Sequence, residues 1–187
     1  MSTTPISRYP VPKLENLPDD IRTRILEVQE KSGFVPNVFL ALAHRPAEWR
    51  AFFAYHDALM EKDSGLTKAE REMIVVATSN ANGCQYCVVA HGAILRIRAK
   101  NTLLADQVAI NHRKAEITAA QRAMLDFALK ICLHSNAVDE ADFAALRAHG
   151  VVIVLHAGAQ HLAHAHAGHL GQVGDLLLGF GVKSGVH

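Results

Sequence analysis

The sequence predicts an all-α protein, and three observations carry that expectation. All six prolines occur by Pro46, and residues 47–187 contain none. Helix interiors exclude proline because its ring blocks the preceding turn and it has no N–H to donate. Helix-start signatures recur as Thr67 with Glu70 and Thr118 with Gln121, pairs in which each side chain satisfies a free backbone N–H. Apolar residues recur at helical spacing, and no strand-like alternation runs beyond a few residues.

Taken in order, residues 1–18 hold four of the prolines and are expected as an extended arm, on the surface or on a neighbouring subunit. Residues 19–187 are expected as a single helical domain. A helix should start near Asp19 and Asp20, whose charges favour its positive end, show Ile21, Ile25 and Val28 on one face, and stop at Gly33. Pro36 and Pro46 each suit the first turn of a further helix. In the second of these, Trp49, Phe52, Phe53 and His56 form an apolar stripe toward a core. The helix opened by Thr67 runs to about Ala81, Asn82–Gly83 breaks it, and a new helix runs from Cys84 to about Ala99. Asp139 can cap another helix ending at Gly150.

Composition excludes several functions. The chain has 187 residues, is 50% apolar and 20% charged, and carries a net charge of +1. That balance suits a globular core and supplies no field for nucleic acid or an anionic membrane. Residues 1–20 contain no apolar core of the kind a signal peptide needs, and no apolar run reaches spanning length. The expected location is the cytoplasm.

From Gly150 onward the character changes. That stretch holds eight of the 12 glycines and six of the 12 histidines, with Asp175 and Lys183 its only other charged residues. A buried helix fits its first half, and glycine weakens the second. His156, His161, His164, His166 and His169 could bind metal, but no acidic or sulfur ligand lies nearby in the sequence, so an incidental role is preferred.

The stretch NGCQYCVVAHG, residues 82–92, carries the chemistry. Three cysteines in a chain of this type argue against a disulfide framework, and a CxxC pair is then redox-active or metal-binding. Cys132 shares a helical face with Leu125 and Ala128 and reads as a small buried hydrophobe. Cys84 falls in a helix's first turn, where free N–H groups and the dipole favour an anionic sulfur. Cys87 and His91 lie one and two turns on, so both sulfurs and the imidazole share a face. A base beside a thiol can take its proton and release the nucleophile. An acid must orient the imidazole. Glu70 is occupied by the cap, which leaves Glu72 to turn inward, hold His91 in one tautomer and keep Cys87 partly ionised near neutrality. Arg96, Arg98 and Lys100 read most simply as the solvated, dipole-matched end of the same helix, and an anionic substrate group could also use them.

Glu72, eleven residues, Cys84, two residues, Cys87, three residues, His91: this arrangement resembles the core motif of the AhpD-like alkylhydroperoxidases, in the carboxymuconolactone decarboxylase superfamily. SGFVPNVFLALAHRPAEWRAFFAYHDALM and LTKAEREMIVVATSNANGCQYCVVAHGA are similar to its peroxidase-related branch, and the likeness covers roughly residues 10–149. The resemblance implies an all-helical bundle with the CxxC at the start of a central helix, assembled as trimers or hexamers, with no haem, metal or other cofactor. It implies that Cys87 attacks a hydroperoxide and becomes a sulfenic acid, and that Cys84 donates a proton and then closes a Cys84–Cys87 disulfide. Glu72 and His91 would relay protons, and an external dithiol would restore the pair.

Two features depart from the family. Its well-known members carry a histidine between the cysteines where this chain has Gln85 and Tyr86, and the glycine–histidine tail resembles nothing expected after residue 150. The alternative is a non-catalytic redox or zinc-binding module using Cys84, Cys87 and His91, with a tail histidine as fourth ligand. Structural zinc pairs usually sit on knuckle turns and not along a helix, which places that reading second. Lactone-decarboxylating relatives lack the cysteine pair and rank third.

Overall fold

The structure is a computed structural model that describes residues 6–63 and 65–151, and these divide into two compact units, one running to Lys62 and one starting at Asp63. The first contains α1 (Asp19–Ser32), α2 (Asn37–Ala41) and α3 (Pro46–Met60). Asp19 and Asp20 occupy the first turn of α1, and Gly33 ends it in the left-handed region at φ 79°, donating its N–H to Gln29 O at 2.8 Å. Pro36 stands just before α2 as its cap, and Pro46 is the first residue of α3. Leu17, Ile21, Ile25, Ala43, Trp49 and Phe53 form the core of this unit. Phe52 and His56, expected on the same stripe, are only half-buried.

The segment expected as an arm does not stay extended throughout. Leu14–Asn16 make a turn of 3-10 helix and Leu17 enters the core, while Tyr9 stacks on His44 with ring centroids 5.0 Å apart. Leu14 and Leu17 pack into the core of their unit, while Ile6, Tyr9 and Val11 remain exposed.

The second unit contains α4 (Lys68–Ala81), α5 (Gln85–Ala99), α6 (Leu104–Asn111), α7 (Ala119–His134) and α8 (Glu140–Ala148). All regular structure among the described residues is helical. Both expected capping boxes form, at Thr67 with Glu70 and at Thr118 with Gln121. They are also joined, because Gln121 Nε2 donates to Glu70 Oε1 at 3.2 Å and so ties the starts of α4 and α7 together. Asp139 caps α8, which ends at Ala148, ahead of Gly150. Sequence periodicity did not indicate α6. Its start is held by Asn101, whose Oδ1 accepts the N–H groups of Leu103 and Leu104.

α4 packs against α5, α6 and α7, with Met73, Val76, Leu95, Val108 and Leu125 at the centre. Such burial contributes roughly 1.5–3 kcal/mol per large apolar side chain, and it fixes the face that α4 presents to α5. Among the described residues no helix is long and apolar enough to cross a membrane. The tail from residue 152, with its five candidate histidines, lies outside the described residues.

Candidate functional site

The site is built on the junction between α4 and α5. Gly83 takes φ 66°, a conformation that costs other L-residues about 1–2 kcal/mol. That turn lets Gly83 N–H reach Asn80 O at 3.0 Å and Cys84 N–H reach Ser79 O at 2.9 Å, the paired bonds of a Schellman motif. Cys84 is therefore the third residue past α4 and also the N-cap of α5. Its sulfur accepts the N–H of Cys87 at 3.4 Å. Asn82 and Gly83 break the helix as their identity suggests, and the break leaves no slack between the two helices.

The four expected site residues form two contacting pairs, Cys84 with Cys87 and Glu72 with His91. Cys84 Sγ and Cys87 Sγ are 2.7 Å apart, with both thiols free. Glu72 points inward from α4 and is 2% exposed. Its Oε2 accepts a hydrogen bond from His91 Nδ1 at 2.7 Å, an assignment that leaves Nε2 as the basic ring nitrogen. Cys87 and His91 are one turn apart on α5, so the carboxylate orients the imidazole that shares a face with the thiol pair.

The family model for the carboxymuconolactone decarboxylase family matches residues 46–131, a span that includes all four residues. The chain is 64% identical to a Ralstonia eutropha JMP134 protein whose crystal structure is described as an alkylhydroperoxidase AhpD core and an uncharacterized peroxidase-related protein; the match has a TM-score of 0.78 and covers 93% of this chain and 86% of that one. This is an AhpD-like member of the carboxymuconolactone decarboxylase family. A peroxidase-related protein from Silicibacter sp. TM1040 is 36% identical, with a TM-score of 0.78, over 94% of this chain and 91% of that one. An uncharacterized protein of Cupriavidus necator is 33% identical over 93 residues, which make up 49% of this chain and 76% of the relative. The all-helical fold is the AhpD-like fold of these structures.

Within this AhpD-like site, three expectations from sequence need correction. Arg98 is not part of a solvated helix end. Its Nε stands 3.8 Å from Glu72 Oε1, because a buried carboxylate is a stronger attraction than the helix terminus. Arg96 is also engaged, with Thr102 O and Asp106, and Lys100 alone of the three is exposed. Arg98 lies seven residues past His91, so extending the stripe from Cys84 through His91 by two further turns would have found it.

Cys87 is not partly ionised near neutrality in this arrangement. Burial pushes its thiol up from an ordinary 9.0 to about 12, and the contact with Cys84 adds to the rise, while Ser79 and a backbone N–H oppose it. Finally, Cys132 is more than a small hydrophobe: it is half-buried, and its sulfur accepts Asn82 Nδ2 at 3.2 Å, one residue before Gly83.

Among the described residues no group of three or more histidine, cysteine and acidic side chains is arranged to hold a metal ion. The tail histidines on which a zinc site would draw lie outside them.

Proposed function

We propose that this protein is a thiol peroxidase that reduces organic hydroperoxides or hydrogen peroxide through a Cys84–Cys87 disulfide. The observation that carries the reading is the buried Glu72 carboxylate, 2.7 Å from His91 on the helix face that also holds two sulfurs 2.7 Å apart. A half-buried thiol held in its protonated form needs a base at the moment of attack, and an imidazole fixed in one tautomer supplies it.

The steps follow from these positions. His91 Nε2 takes the Cys87 proton, and the thiolate attacks the terminal peroxide oxygen. An S–O bond forms and the O–O bond breaks, with the electron pair leaving on the alkoxide. Cys84, whose sulfur already donates toward Cys87, protonates that alkoxide to the alcohol. The Cys84 thiolate then attacks the Cys87 sulfur of the sulfenic acid. The S–S bond forms, and hydroxide leaves as water with the proton held by His91. The peroxide gains two electrons and the thiol pair loses two. An external dithiol returns them by thiol–disulfide exchange, which suits a reducing cytoplasm.

Self-association belongs to the same reading. Tyr86, Val89, Ile94 and Ile97 are exposed along α5 beside the site, an apolar strip that a homo-oligomer (trimer or hexamer) would cover. Metal-free reduced protein treated with cumene hydroperoxide tests the proposal. One equivalent of peroxide should remove two thiols and yield one Cys84–Cys87 disulfide, identified by peptide mass. Thiols that persist through that treatment would refute it.

A further inference from the structure

Ser79 addresses both cysteines from α4. Its carbonyl receives the Cys84 N–H at 2.9 Å. Its side chain is 1% exposed, and its hydroxyl has no hydrogen bond of ordinary geometry among the described residues. The hydroxyl is one of the groups that favour the charged form of the Cys87 sulfur, and the carbonyl of the same residue anchors the turn that carries both cysteines. Its neighbour Thr78 shows the usual fate of a helical hydroxyl, donating back to Ile74 O at 2.7 Å. Ser79 does not take that route, and a buried hydroxyl left unsettled is destabilising.

We propose that Ser79 is a positioning residue for the reactive sulfur: its hydroxyl turns to donate to Cys87 Sγ once that sulfur is anionic, and holds it in place for its attack on the peroxide. The inference rests on the peroxidase reading for what the thiolate does next, but the hydrogen bond itself does not need peroxide. A hydroxyl rotor suits the task because it can accept from the thiol and donate to the thiolate without moving its oxygen. The other polar groups of the site are Cys84, at the α5 N-cap and in contact with Cys87, and His91, one turn past Cys87 and backed by Glu72 and Arg98. None of the four would provide a buried neutral donor from α4.

The test is Ser79→Ala in the reduced full-length protein, with iodoacetamide labelling of each cysteine followed by peptide mass spectrometry. A hydrogen bond to a charged group shifts ionisation by about tenfold or more, and the higher basicity of the less stabilised thiolate returns about half of that on a logarithmic scale. Cys87 labelling at about pH 8 should therefore slow by roughly threefold, with Cys132 unchanged. The melting temperature should hold or rise, since the unsettled hydroxyl has gone. A structural role would instead lower the melting temperature and alter all the thiols together, and that result overturns the proposal. So does wild-type Cys87 labelling in Ser79→Ala. Slower Cys87 labelling in the variant, with no peroxide consumed even by wild type, would sink the peroxidase reading and leave the positioning role standing.

Discussion

Arg98 Nε stands 3.8 Å from Oε1 of Glu72, on the carboxylate oxygen that His91 does not use. A single buried acid thus spans two residues of α5, one an imidazole and one a fixed cation. A carboxylate this enclosed is costly without compensation, and the guanidinium offsets part of that cost without taking the oxygen that His91 uses.

Glu72→Gln separates relay from scaffold. Glutamine preserves the length but removes the charge that orients His91, so peroxide-driven thiol loss should slow by roughly 10²- to 10⁴-fold. Because the side chain is buried and bonded, stability should also fall, by about 1–3 kcal/mol. Arg98→Gln touches the relay only through Glu72 and should cost about 10- to 100-fold, the scale for groups that orient a reacting side chain. Glu70→Gln is the control for rate, since glutamine still completes the capping box and gives up only the bond from Gln121 Nε2. Single-turnover thiol loss and melting temperature, measured on all three, give the ranking; a Glu72→Gln enzyme that merely melts earlier makes the acid structural.

The two sulfurs should separate cleanly by variant. Cys87→Ser removes the attacking atom and should abolish peroxide consumption. Cys84→Ser should permit one attack and stall at the sulfenic acid, which a dimedone-type reagent traps on Cys87. A trap adduct on Cys84 in the Cys87→Ser protein would reverse the assignment.

Alkaline stability should reveal the buried thiol. Folding holds Cys87 at about 12 against an ordinary 9.0, so the native state binds its proton more tightly than the unfolded chain does. The resulting stabilisation is fully present below about pH 9 and is lost as the pH rises toward about 12. Reduced wild type should lose melting temperature more steeply across that window than Cys87→Ser, which has no thiol to titrate there. Parallel curves would mean that the thiol is not perturbed by the fold.

Gly83 should be sensitive through its backbone alone. A Cβ there meets nothing within 4 Å, so the cost of Gly83→Ala is conformational, about 1–2 kcal/mol. Gly83→Asn should cost less, because asparagine tolerates positive φ. Thermal melts of the pair should rank Gly above Asn above Ala; equal losses would point to packing instead.

Much of the site was legible because its signals are local. The Thr67–Glu70 box set the start of α4, Asn82–Gly83 marked its end, and helical spacing aligned Cys84, Cys87 and His91. What sequence missed depends on neighbours in space. α6 is eight residues long, and its cap comes from Asn101, too far ahead for a simple N-cap pattern. Arg98 looked like a helix-end cation because dipole matching is a local argument, whereas Glu72 on another helix decides its place. Burial of Cys87 is a property of packing, and no spacing rule carries it. Ser79, one small polar residue inside a helix, leaves no periodic trace at all.

The residue shared by the two helices has a consequence for exchange with solvent. The Cys84 amide proton is held by α4, and the Cys87 amide proton is held by the Cys84 sulfur. In the reduced protein that second proton therefore reports the same sulfur that a disulfide would engage. Its deuterium uptake should change when the pair is oxidised, while the amides of α4, whose bonds do not involve either sulfur, should keep their own rate.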